Sequence, residues 1–175
     1  MKQLHIAVLI IGIIALASTA KSADSSAEKA MPSAMEMLFG TGLINAEGDA
    51  ASAASLEGKT VGIFFSAHWC PPCRHFTPHL VATYKQMQED AKPFEIVFVS
   101  SDRDEASMER YMQEAKMPWL ALSFGDQHIS LLKQRFGIRS IPTLVIIDDQ
   151  GNTISTKGRL DVAKMGKAAF DHWQR

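Results

Sequence analysis

Thr60-Val61-Gly62-Ile63-Phe64-Phe65-Ser66-Ala67-His68-Trp69-Cys70-Pro71-Pro72-Cys73 is the stretch on which the fold turns. Thr60 to Ser66 is a short apolar run of the kind that forms a buried strand. Beyond it, Phe76, Leu80, Tyr84 and Met87 recur at spacings of four, four and three, which predicts a helix over 71–91. The boundary between strand and helix therefore falls on Cys70-Pro71-Pro72-Cys73. A helix amino terminus offers unpaired backbone N–H groups and the positive end of the dipole, and both favour a thiolate at Cys70. Pro71 and Pro72 suit that place, because the first helical turn has no use for their missing N–H groups.

The strand-to-helix pattern continues outward. Phe94–Ser100 reads as a second buried strand, and Asp104–Ala115 as a helix with Met108, Tyr111 and Met112 on its core face. Ser130–Phe136 predicts another helix, stopped by Gly137. Thr143–Ile147 predicts a third strand, residues 148–152 a hairpin turn, Thr153–Thr156 a short fourth strand, and Leu160–Trp173 a closing helix anchored by Trp173. Upstream, Pro32–Phe39 reads as a short helix ended by Gly40 and Gly42, followed by a small, polar segment over 45–58. Strands alternating with helices and closing on a hairpin define an α/β domain with a mixed central sheet, assigned to residues 34–175, with no second domain.

The amino-terminal residues belong to a different class. Lys2 precedes an apolar run from Ile6 to Leu16, and Ala17-Ser18-Thr19-Ala20 supplies the small residues of a cleavage site. The run is shorter than the about 20 apolar residues that cross a bilayer. Residues 1–20 are expected to be a signal peptide cut after Ala20, with an uncleaved anchor as the alternative, and 21–33 a flexible tether. The expected location is exported, periplasmic or secreted, with membrane attachment only if residues 6–20 stay in place. The whole chain of 175 residues has a formal charge of −1, which argues against a nucleic-acid partner.

Cys70 and Cys73 are the chain's two cysteines. A bond between them closes too small a ring to be a useful staple, which favours redox chemistry over a structural disulfide. Cys70, Cys73, His75 and His79 spell C-x2-C-x-H-x3-H, but zinc sites need a longer loop between ligand pairs, so no metal is expected. Haem attachment needs His directly after the second cysteine, where Arg74 stands. His75 and His79 are expected on the helix surface, and His68 as a neighbour able to favour the thiolate as a cation. On this geometry Cys70 is the nucleophile and Cys73 resolves the mixed disulfide. Trp69, Pro71, Pro72, Ile141 and Pro142 are the candidate substrate contacts, with the Ile141 backbone free to pair with an extended substrate segment. Trp119 fits either core packing or the rim of the groove.

Several segments of the chain resemble the thioredoxin superfamily, and within it nucleoredoxin and tryparedoxin. They are Phe65–Arg74 with Phe76-Thr77-Pro78, then Val99–Arg103, Met117–Ala121 and Ile141–Leu144, in family order across 36–160. The resemblance implies a thioredoxin fold with helices on both faces of the sheet, a cis Pro142, and a protein thiol–disulfide oxidoreductase using the Cys70/Cys73 pair. It implies no cofactor beyond that dithiol. Its expected partners are disulfide-containing proteins and an upstream thiol reductant. The Pro-Pro spacer is similar to that of reducing members; a disulfide oxidase or isomerase, or a metal- or thiol-binding module without turnover, are the alternatives. Many thioredoxins carry a buried Asp six residues before the first cysteine, where this chain has Phe64. Asp102 is the candidate proton relay in its stead, or else a cap for the helix that follows.

Overall fold

The computed structural model describes residues 31–175; the expected leader, and the tether up to residue 30, lie outside the described residues. Seven strands form one mixed sheet: β1 (Leu43–Ile44), β2 (Ala50–Ala51), β3 (Thr60–Ser66), β4 (Phe94–Ser100), β5 (Leu120–Leu122), β6 (Thr143–Ile147) and β7 (Thr153–Ser155), in the order β2-β1-β5-β4-β3-β6-β7. The central strands β3 and β4 run parallel, as do β4 and β5, whereas β6 is antiparallel to β3 and β7 to β6.

The helices are α1 (Ala34–Phe39), α2 (Pro71–Glu89), α3 (Glu105–Glu114), α4 (Gln127–Arg135), α5 (Gly158–Met165) and α6 (Ala169–Trp173). They divide between the two faces of the sheet. Phe64, Ile96, Phe98, Leu144 and Ile146 face α2, α3, α5 and α6 in one core. Their sequence neighbours Val61, Ile63, Phe65, Val97, Val99, Val145 and Ile147 face α1 and α4 in the other. Because both faces are covered, every residue of β3 is buried, which is why that strand reads as a continuous apolar run rather than an alternating one. Trp119 packs edge-to-face against Phe64 and Tyr84, so it belongs to the core and not to a groove rim.

Four expectations need correcting. The strands β1, β2 and β5 come from segments with no strand assignment in the sequence reading; each has two or three residues, too few to show a period. Helix α4 begins three residues earlier than expected, because the Asp126 carboxylate caps it by accepting the His128 N–H at 2.7 Å. The closing helix is two helices, not one: Gly166 takes φ +55°, and a single 3-10 turn separates α5 from α6. Asp102 does not cap the helix after β4, since that role falls to Asp104, which accepts the Ser107 N–H at 2.7 Å.

Candidate active site at the carboxyl end of β3

Topology gathers the site. The parallel pairing Ser66↔Ser100 sets the carboxyl ends of β3 and β4 side by side, and the antiparallel pairing Phe65↔Thr143 brings the start of β6 to the same edge. Cys70, Ser101 and Pro142 thus converge from three separate parts of the sequence. The Ile141–Pro142 peptide bond is cis, as the resemblance implied. The Ile141 carbonyl oxygen lies 3.8 Å from Cys70 Sγ, so the dithiol and the proline loop are in direct contact.

Helix α2 starts on the cysteine itself. Cys70 is its N-cap residue, with Pro71 and Pro72 in the first two helical positions. Neither proline has an N–H, so the first side-chain-capping donor of the helix is the Cys73 N–H, and it points at Cys70 Sγ at 3.3 Å. A sulfur occupies the place where serine or aspartate oxygen normally caps a helix. Cys70 and Cys73 are joined as a disulfide with Cα atoms 5.2 Å apart. Cys73 keeps none of its surface open, whereas Cys70 keeps 4% and borders a surface hollow. Pro71 and Pro72 are exposed beside it. Trp69 is 54% exposed, with its indole Nε1 donating to the Ser101 carbonyl at 2.9 Å, so an apolar ring stands fixed at the rim.

Asp102 is occupied by the loop that presents Trp69. Its Oδ1 accepts the His68 N–H at 2.8 Å, and its Oδ2 accepts the Ser100 hydroxyl at 2.8 Å. No hydrogen bond links it to Cys73, and its observed contacts position the 67–69 turn. His68 turns its ring toward Glu114, 3.1 Å away, and over Tyr111. His75 and His79 sit exposed on α2 with ring centroids 5.7 Å apart. Among the described residues no group of three or more His, Cys, Asp or Glu has the arrangement of a metal site.

A chain of hydroxyls beneath Cys73 escaped the sequence reading. Thr77 donates to the Cys73 carbonyl at 2.9 Å. Having spent its single proton, Thr77 must accept from Tyr111 at 2.5 Å, and Tyr111 in turn must accept from Ser66 at 3.1 Å. Burial raises the Tyr111 pKa against the opposing pull of Ser66 and Thr77, so the phenol stays protonated and able to donate. This chain ties β3, α2 and α3 together one helical turn below the disulfide. Phe64, at the position where many thioredoxins place an acid, is wholly buried among Phe76, Phe98 and Trp119.

The comparisons with known proteins agree with this geometry. A family model for thioredoxin-like proteins matches residues 58–153. Over 121 residues the chain is 46% identical to nucleoredoxin of Homo sapiens, covering 69% of this chain but 27% of that protein. The chain thus spans about a quarter of the length of the nucleoredoxins it matches. It is 44% identical over 135 residues to tryparedoxin of Trypanosoma brucei brucei, covering 76% of this chain and 91% of that one. Among solved structures, tryparedoxin from Trypanosoma brucei superposes with a TM-score of 0.72 at 41% identity, over 81% of this chain and 98% of the other. Tryparedoxin II complexed with glutathionylspermidine gives 0.70 at 41% identity, over 78% and 95%.

Proposed function

We propose, from the premise that this chain belongs to the thioredoxin-like family and has a thioredoxin fold, that it reduces disulfides in protein substrates through Cys70 and Cys73. The observation that carries the reading is the capping of α2 by Cys70 Sγ through the Cys73 N–H, directly against the Ile141 carbonyl. A hydrogen-bond donor aimed at a sulfur at the positive end of a helix stabilises that sulfur as an anion.

In the reduced protein the Cys70 thiolate attacks one sulfur of the substrate disulfide. The S–S bond breaks, one substrate sulfur leaves as a thiolate and takes up a proton, and the other is bonded to Cys70. Cys73, losing its proton, then attacks Cys70 Sγ; the Cys70–Cys73 bond forms and the second substrate thiol leaves. The substrate gains two electrons and two protons, and the protein gains the disulfide. An upstream thiol reductant resets it by the same exchange in reverse. No cofactor other than the dithiol enters either step. Trp69, Pro71 and Pro72 form the rim that a substrate meets first, while the Ile141 backbone beside Pro142 offers edge pairing to an extended segment. The same proposal takes residues 1–20 as an export leader, 21–33 as a tether and 34–175 as the working domain.

Reduced protein is expected to cleave the interchain disulfides of insulin with a dithiol as regenerant. Cys70→Ser abolishes turnover, and Cys73→Ser stops after the first attack and accumulates a mixed disulfide at Cys70. Turnover by Cys70→Ser overturns the nucleophile assignment. A reduction potential near the about −270 mV of thioredoxin supports the reducing direction, and one near the about −120 mV of strong oxidants overturns it.

A further inference from the structure

Beside Cys70 lies a hollow of about 450 Å³, walled by Trp69, Ile138, Lys133, Arg139 and Ile141. Its charged lining is a lysine and an arginine, with no carboxylate. Neither cation has an ion-pair partner among the described residues, where the salt bridges formed are those of Lys59, His68, Lys92, His128 and Lys167. Asp102 and Glu114 stand outside the lining, Asp102 bonded to the His68 N–H and the Ser100 hydroxyl and Glu114, at the end of α3, to the His68 ring. An adjoining hollow of about 390 Å³, which shares Ser140 and includes Pro142, adds Lys157 and Arg159 and again no acid. The linings of the two hollows thus hold four cations and no acid, in a chain whose formal charge is −1.

Resting on the reductase reading, we propose that Lys133 and Arg139 select polypeptide substrates whose disulfide is flanked by carboxylates. Arg139 is exposed and two residues before Ile141, so a side chain on a segment paired along Ile141 passes within its reach. Lys133 is half-buried in the wall of the same hollow, and burial lowers its pKa. A partly dehydrated ammonium without a counter-ion gains more from an arriving carboxylate than a fully hydrated one does. Two cations beside one nucleophile attract an acidic segment and repel a basic one, acting on both encounter and register.

The test uses the reduced full chain, a regenerating dithiol and three peptides, each with one disulfide flanked by Asp and Glu, by Lys, or by Ala. At 0.01 M ionic strength, where charges act over about 30 Å, kcat/KM for the acidic peptide is expected to exceed that for the basic one about tenfold. At 1 M salt the ratio falls toward one. Lys133→Glu combined with Arg139→Glu inverts the order of the two charged peptides, and Arg139→Glu alone, at an exposed position, shifts it the same way. Lys85→Glu, on an exposed turn of α2 outside both hollows and about 22 Å along the helix from Cys70, shifts the ratio less than Arg139→Glu does. A ratio near one for the wild type at low salt, or a ratio retained in the double variant, overturns the selection by charge. Cleavage of the Ala-flanked peptide shows in either case that the reductase reading stands. Failure to cleave any of the three overturns that reading and this inference with it.

Discussion

Removing one oxygen, in Tyr111→Phe, tests whether the hydroxyl chain below the disulfide holds the site together. The phenyl ring keeps its edge-to-face contact with Phe98 and its place under the His68 ring, so packing is preserved and the hydroxyl alone is lost. Two hydrogen bonds go with it, to Thr77 and to Ser66. They are not equivalent. Thr77 still donates to the Cys73 carbonyl, so only its acceptor capacity is wasted. Ser66, wholly buried, is left with a proton and no acceptor for it, which costs about 1–3 kcal/mol, and the lost Tyr111–Thr77 bond adds about 1 kcal/mol. The expected total is about 2–4 kcal/mol in a urea melt of the oxidised protein, read as a lower midpoint at unchanged slope. Ser66→Ala removes the stranded donor instead, so the double variant is expected to lose at least about 1 kcal/mol less than the two single losses added together. Additivity of the two losses to within about 0.5 kcal/mol, or a Tyr111→Phe protein as stable as the wild type, refutes the assignment of donors along the chain.

Other perturbations follow from single contacts. Gly166→Ala isolates backbone strain, because a methyl group there meets nothing within 4 Å while φ stays at +55°; a loss of about 1–3 kcal/mol is expected in the same melt, and no loss sinks the account of the α5–α6 break. Phe64→Asp, which restores the acid many thioredoxins carry, places a carboxyl among Phe76, Phe98 and Trp119; the lost packing alone costs about 3–5 kcal/mol, and a variant of wild-type stability refutes the packing account. Burial pushes the Asp148 carboxyl up, but hydrogen bonds from Asn152 and Gln150 outweigh it and leave its pKa below the usual range. A folded value below the unfolded one adds stability that is present above about pH 4 and disappears as the pH falls through the folded value. Asp148→Asn is therefore expected to flatten the acid limb of the stability curve, and an unchanged limb refutes that linkage.

Legibility in the sequence followed the range of the interactions. The unit from β3 through α2 to β4 was readable because each part carries its own signal: a seven-residue apolar run, apolar spacing of three and four, and two prolines where a helix begins. Cys70 and Cys73 were readable for the same local reason, since three residues of separation at a helix start fix their geometry. Pro142 was legible as a proline opening a strand and a candidate contact, but its cis bond came only with the resemblance to a family, and the antiparallel register of β6 on β3 is what sets it against the dithiol. The split at Gly166 was hidden because Val162, Phe170 and Trp173 all remain apolar across the break, so spacing alone does not distinguish one bent helix from two. Ser66, Thr77 and Tyr111 were the least legible of all. They stand on three different elements, and each taken alone is an ordinary residue: a strand end, a helix-interior threonine, one member of an apolar stripe. Only the packing of α3 over the β3–α2 junction makes them a chain. Asp102, the candidate relay just past β4, belongs to the same junction. Its two carboxylate oxygens accept from a main-chain N–H and a serine hydroxyl, and none of its hydrogen bonds reaches Cys73. Its place just past β4 identified the right neighbourhood, and its hydrogen-bond partners show that it holds the 67–69 turn in place.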